Sequence, residues 1–372
     1  MTGATEFPTT GKVVVFDGPG LPLRIEVEPV LPPGRGETLV RMTMAGVCGS
    51  DVHRLAGHLP APARPVCFGH EAVGVIVELG EGVTTDRAGA PLAVGDRVYW
   101  APAAPCGACP ACLADNQMLC REVNWPAEAG TPNGAAYREI ATVHPRSSLY
   151  RIPEGTLSES VIAFGCAMPT AITGIERLGR LGRHVVIQGC GPVGLASTLL
   201  AGLSGAETIT VIGDPASRLD VAAHLGATAT LPLTSTSRDE RRARVLEITG
   251  GEGATAVIEA AGSAEAFPEG IGLLGMNGRY LVLGLYSGAE KVPFDPVPIN
   301  NLNLHIVGSL GYAQDALLQA IRIATEHGEE FGFDELVGER FPLEQTQDAI
   351  ASAARGEVVK TVVLPTSPQP AS

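Results

Sequence analysis

The sequence predicts an α/β protein in two parts, a β-rich domain and a doubly wound parallel sheet. Three observations carry that expectation. Short β-branched runs crowd residues 12–100, strands alternate with helical patterns from about residue 166, and a G-x-G-x-x-G stands at residues 189–194, between a strand and a helix. At 372 residues the chain can build two cores. Its 45% hydrophobic and 18% charged content is that of packed protein, not of a disordered chain.

The β-rich region opens with "KVVVFDG", "LRIEVEPV", "ETLVRMTMAGVCG", "AVGVIVELG" and "VGDRVYW", runs broken by Gly and Pro that read as an antiparallel or mixed sheet. "DRAGAPLAVG" (86–95) is a polar loop before the last of them. Next comes "CGACPACLADNQMLC" (106–120), four of the chain's eight cysteines in one loop. The N-terminus shows no basic n-region followed by an apolar h-region, so the chain reads as cytosolic, where thiols stay reduced. Disulfides are then excluded, and a redox pair needs only one C-x-x-C. Cys106, Cys109, Cys112 and Cys120 instead form a closed four-thiolate set, the arrangement of a structural zinc. Such a site has no open position, so the chemistry must lie elsewhere.

In the second region "HVVIQG" is a strand, "PVGLASTLLAGLSG" a helix, "TITVIG" a strand and "PASRLDVAAHLGA" a helix. "TAVIEAAG", a helix over 264–275 and "RYLVLGLY" follow, then helices at "DALLQAIRIATEH" and "LEQTQDAIASAAR" and a last strand "KTVVLP". Within "GCGPVG" (189–194), Gly189 permits the tight turn, Gly191 lets backbone approach a pyrophosphate, and Gly194 allows close packing of the helix that Pro192 and Val193 open. That helix N-terminus offers N–H groups to phosphate. Asp214 follows Gly189 at a distance suited to binding an adenosine ribose. A net charge of −14 argues against nucleic acid and anionic membrane as partners, and no apolar run reaches the length of a membrane span.

A catalytic zinc needs three protein ligands and one open position. "GVCGSDVH" (46–53), "GHEAVG" (69–74) and "FGCAMPTA" (164–171) supply Cys48, His70 and Cys166 for such a set. Cys67 and Cys190 fit neither set and read as structural.

These motifs, with the four-cysteine loop, "GCGPVG" and "VGDRV", resemble the zinc-dependent medium-chain alcohol dehydrogenases in order and spacing, over residues 12–365. The resemblance implies a GroES-like β domain in 1–165, carrying the zinc loop 105–121, a Rossmann domain in 166–310, and a return to the first domain in 311–372. It implies two zinc ions per chain, with Glu71 as an occasional ligand beside Cys48, His70 and Cys166, and Asp51 hydrogen-bonded to His70. It also implies a proton relay through Ser50 and His53. The family's ribose-binding acid falls on Gly213, with Asp214 one place later and Arg218 beyond it; the sign of Asp214's charge favours NAD over NADP. Lys360 matches a basic phosphate contact, and Leu59, Pro102 and Trp125 match pocket positions. The small number of charges there, with the insertion at 86–94, points to an uncharged secondary or cyclic alcohol. "NLNLHIVGSLGY" (301–312) resembles a subunit-contact segment, which implies a homodimer or homotetramer. Three other readings compete: a zinc-independent enone or quinone reductase, a dismutase on the same fold, and a non-enzymatic zinc-ribbon module. The ligand set argues against the first, the sequence does not separate the second, and the acidity and second ligand set oppose the third.

Overall fold

The structure is a computed structural model and describes residues 9–114, 116–123, 128–287 and 291–366. Two large sheets organise the chain. The first has seven strands, in the order Val337–Pro342, Lys360–Leu364, Thr38–Gly46, Glu71–Leu79, Arg97–Ala101 and Ser148–Arg151, with Ile140–Val143 also paired to Thr38–Gly46. Its strands come from both ends of the sequence. Lys360–Leu364 pairs antiparallel with Thr38–Gly46 through Val362 opposite Gly46. That register brings the start of the last strand to the end of the strand that leads into Cys48. A three-stranded sheet of Arg24–Pro29, Thr10–Phe16 and Val66–Cys67 lies beside it.

The second sheet has six parallel strands. Their order is Ala229–Pro232, Thr208–Gly213, His184–Gln188, Ala254–Glu259, Leu274–Val282 and His305–Gly308. Numbered by appearance this is 3-2-1-4-5-6, the doubly wound arrangement. The order in which strands are added reverses between the His184–Gln188 and Ala254–Glu259 strands, and a cleft opens above their carboxyl ends. The central strand is covered by helices on both faces: all five residues of His184–Gln188 are buried.

Two stretches depart from the expected elements. The helix expected over 264–275 is only Ala266–Ile271, because Pro268, Gly270 and Gly272 weaken it and Leu274 already starts a strand. The helix Arg238–Ile248 lies where no apolar stripe announces one; Ser237 and Glu240 start it with a reciprocal capping box.

The segment carrying Cys166 is fixed by packing from the C-terminal part. Phe164, two residues before it, meets Phe333 edge to face at 5.0 Å, and Phe333 is fully buried. Phe333→Ala removes that anchor and leaves a cavity. The expected loss is about 3–5 kcal/mol of unfolding free energy, measured by denaturant titration.

Candidate functional site

Cys48 sits where the Thr38–Gly46 strand gives way to the short helix Gly49–Leu55. His70 directly precedes the Glu71–Leu79 strand that Glu71 opens, and Cys166 precedes the helix Ala167–Leu178. One ligand atom from each of Cys48, His70, Glu71 and Cys166 lies within 4.8 Å of the others. The two sulfurs are 3.3 Å apart. The Cys48 thiol is held well below its ordinary range, first by the hydrogen bond from Cys166 and then by the imidazole of His70, while the same bond raises Cys166. Burial would lower His70, but Asp51 and the Cys48 sulfur raise it. Soft sulfur plus imidazole is a zinc donor set, and two thiolates with a neutral imidazole balance a divalent cation.

Two buried carboxylates brace this set. Asp51 Oδ1 faces His70 Nδ1 at 3.4 Å. Its Oδ2 accepts the Cys48 N–H at 3.0 Å and the Tyr137 hydroxyl at 2.9 Å. Glu71 Oε1 accepts the Cys166 N–H at 2.8 Å. Gly46 and Gly165 make room for the Glu71 carboxylate: a Cβ on either would stand 2.0 Å from its Oε2.

Lys360 requires a correction. It does not face a phosphate cleft. Its side chain is 1% exposed, and its ammonium donates to Glu71 Oε2 at 2.8 Å and to the Val47 carbonyl at 3.3 Å. The strand register noted above places it there. Burial works against its charge, and Glu71 more than restores it.

Ser50 Oγ is 3.5 Å from His70 Nε2. His53, on the same helix, contacts Ser287 Oγ at 3.1 Å and His58 Nδ1 at 3.2 Å through its own Nδ1. Burial, with the nearby Glu71 and Cys166, raises the phenols of Tyr99 and Tyr312 above their ordinary range, and Tyr99 is fully buried in the core. Pro102 instead lines a separate cavity of about 570 Å³ with Arg64, Glu128 and Asn133. Trp125 lies outside the described residues.

The second cluster is the cysteine loop, where sulfurs of Cys106, Cys109, Cys112 and Cys120 also lie within 4.8 Å of one another. The Cys109 N–H donates to Cys106 Sγ at 3.3 Å and the Cys106 N–H to Cys120 Sγ at 3.4 Å. Backbone N–H groups of Ala108 and Cys109 bring the Cys106 thiol down to about 6, whereas burial pushes Cys112 up to about 12. All eight cysteines are free of disulfides.

At the switch of the parallel sheet, Gly189, Cys190, Gly191, Gly213, Asp214 and Arg218 line a cleft of about 360 Å³. Gly189 has φ +100°, and a Cβ there would meet the Ala261 backbone at 2.9 Å. A Cβ on Gly194 would stand 1.9 Å from the Gly189 carbonyl oxygen, so only glycine lets the helix Pro192–Leu203 press against the strand end. Pro192 takes the first position of that helix, and Val193 packs on the core. Cys190 fills the space beside Gly213, its sulfur 2.7 Å from where a Cβ would be. Asp214 Oδ2 accepts the Thr234 N–H at 2.7 Å. Arg218 donates to the Val358 carbonyl at 2.9 Å, and its buried Nε has no partner among the described residues. That donor and the glycine cradle suit a dinucleotide phosphate.

Tyr137, the Lys360–Glu71 pair, His58 and Ser287 were not legible as site residues. Tyr137 carries no sequence signal. A single lysine opening an apolar strand, and a single glutamate opening another, were the only hints of the pair.

Residues 34–154 match the alcohol dehydrogenase GroES-like domain, and residues 192–326 match the zinc-binding dehydrogenase family. The chain is 39% identical over 337 residues to 5-exo-hydroxycamphor dehydrogenase of Pseudomonas putida, covering 90% of this chain and 93% of that one. An alcohol dehydrogenase structure from Thermotoga maritima superposes with a TM-score of 0.88 at 28% identity, over 96% of this chain and all of that one. A putative zinc-binding dehydrogenase from Sinorhizobium meliloti, bound to NADP, superposes with a TM-score of 0.78 at 27% identity, over 96% and 100%.

The buried pair at Glu71 gives a direct test. Lys360→Met leaves a carboxylate buried and unpaired, with an expected loss of about 3–5 kcal/mol in denaturant unfolding. Adding Glu71→Gln to that variant should restore more than half of it.

Proposed function

We propose that this chain, which belongs to the zinc-dependent medium-chain alcohol dehydrogenases, oxidises a cyclic secondary alcohol to the ketone with NAD. The single observation that carries the reading is the convergence of Cys48, His70 and Cys166 beside Ser50. In this reading those three residues hold one zinc, and Cys106, Cys109, Cys112 and Cys120 hold a second that only folds the loop. When bound, the first zinc lowers the pKa of an alcohol hydroxyl and the nicotinamide accepts the hydride.

The chain's own residues do the rest. Asp51 holds His70 by Nδ1, which leaves Nε2 for the metal and fixes the tautomer. Lys360 neutralises Glu71, so the carboxylate stays with the Cys166 N–H as a reserve ligand. Ser50 Oγ, beside His70 Nε2, accepts the hydroxyl proton by hydrogen bond, and His53 passes it outward.

Three observations support the cofactor and substrate. Asp214 lines the cleft and would repel a 2′-phosphate, although Arg218 lines it too, so NADP is the alternative to measure. The most similar of the relatives above acts on a hydroxylated camphor, a bicyclic secondary alcohol. Tyr312, half-buried near Cys166 and Glu71, offers an apolar ring to such a substrate. A second copy of the chain is the expected partner, through 301–312, where Ile306 and Leu310 are exposed. A cytoplasmic location fits the eight free cysteines. Among the described residues, no helix is long and apolar enough to cross a membrane.

A screen of primary, secondary and bicyclic alcohols with NAD and with NADP, read as reduced nicotinamide absorbance, is expected to favour bicyclic secondary alcohols with NAD. Reduction of conjugated enones alone would replace the reading with the reductase one. Metal analysis is expected to give two zinc ions per chain. Cys48→Ala should lose one zinc and alcohol oxidation with the fold kept, whereas Cys109→Ala should lose one zinc and stability.

A further inference from the structure

The helix Gly49–Leu55 ends in a way that sets two imidazoles together. Its C-cap is Ala56, and Gly57 follows with φ +79°. The Gly57 N–H donates to the Arg54 carbonyl at 3.2 Å and the His58 N–H to the His53 carbonyl at 2.9 Å. This pair of bonds is a Schellman motif, which brings the second residue past the cap against the third residue before it. An apolar contact usually joins those two positions. Here they are His58 and His53, with ring centroids 5.4 Å apart and their Nδ1 atoms 3.2 Å apart. The backbone therefore brings the two side chains within reach of each other.

The surroundings give the pair a direction. His53 is half-buried and His58 exposed. Ser287, on the segment after the Leu274–Val282 strand, lies 3.1 Å from the same His53 nitrogen. With Nδ1 engaged on this outer side, Nε2 is the nitrogen left for a proton arriving from within. The two Nδ1 atoms, 3.2 Å apart, are within hydrogen-bond distance, so a proton on one can pass directly to the other.

We propose that His58 is the outer residue of the proton path, receiving from His53 the proton that alcohol oxidation sets free. The inference rests on the dehydrogenase reading above. Each alcohol converted to ketone releases one proton, which neither the ketone nor the reduced nicotinamide retains. His53, protonated at Nε2, is then a cation. Its Nδ1–H bond breaks and an Nδ1–H bond forms on His58, which becomes the cation. The exposed His58 ring gives the proton to water or buffer. His58 acts through His53 and touches neither alcohol nor cofactor.

The test uses the full-length, zinc-loaded protein, 5-exo-hydroxycamphor and NAD, rapidly mixed in weak buffer with a pH-indicator dye. Proton release and nicotinamide absorbance are followed together in the unaltered protein and in His58→Asn. His58 is exposed, so thermal unfolding of the variant should match that of the unaltered protein. The expected result is proton release slowed about tenfold in His58→Asn and restored, with saturation, by added imidazole. Release at the unaltered rate overturns the inference, and so does a slowed release that imidazole does not restore. Absence of nicotinamide reduction in the unaltered protein, with this and every other alcohol screened, overturns the dehydrogenase reading and the relay with it.

Discussion

A carboxylate taken out of water must be fully paired, and that constraint builds the site of this protein. Asp51 and Glu71 are 3% and 1% exposed. Asp51 draws in the Cys48 backbone, the His70 ring and the Tyr137 hydroxyl; Glu71 draws in the Cys166 backbone and Lys360. The three donor residues come from distant parts of the sequence. Each is held by a bond to one of these two acids, so ligand placement and charge compensation are a single arrangement.

The same arrangement ties the ends of the chain together. Lys360 reaches Glu71 only because the last strand pairs with the strand leading to Cys48. Phe333, from the same C-terminal part, packs on Phe164 beside Cys166. The β-rich part is therefore closed by the segment that follows the parallel sheet. The helix that starts at Gly49 sets Ser50 beside His70 and His53 beside Ser287 and His58.

The cysteine loop and the G-x-G-x-x-G were legible because their spacing is itself the chemistry: four thiols on a tight loop, three glycines where backbones touch. Four of the parallel strands were legible as short apolar runs; the edge strand His305–Gly308, largely exposed, was not. The Arg238–Ile248 helix was not, since seven of its eleven residues are charged; its Ser237–Glu240 capping box was the available signal. The edge strand Ala229–Pro232 has only four residues. Lys360 was misassigned because a basic residue near a cofactor domain reads as a phosphate contact, and sequence does not report burial. Tyr137 and Ser287 act through single hydroxyls brought in by distant strands and loops, which no local pattern encodes. His58 was hidden for a different reason: the glycine before it marks a helix end, but the contact it creates depends on the histidine five residues earlier.

Under the proposed reading, Cys48, His70 and Cys166 hold one zinc while Cys106, Cys109, Cys112 and Cys120 hold another. X-ray absorption at the zinc edge tests it most directly. The account predicts an average of three sulfurs per zinc at about 2.3 Å, with lighter scatterers at about 2.0–2.1 Å. Replacing Cys166 by serine should reduce that average to two and a half. An average of four sulfurs, or one unchanged in the Cys166 variant, would contradict it.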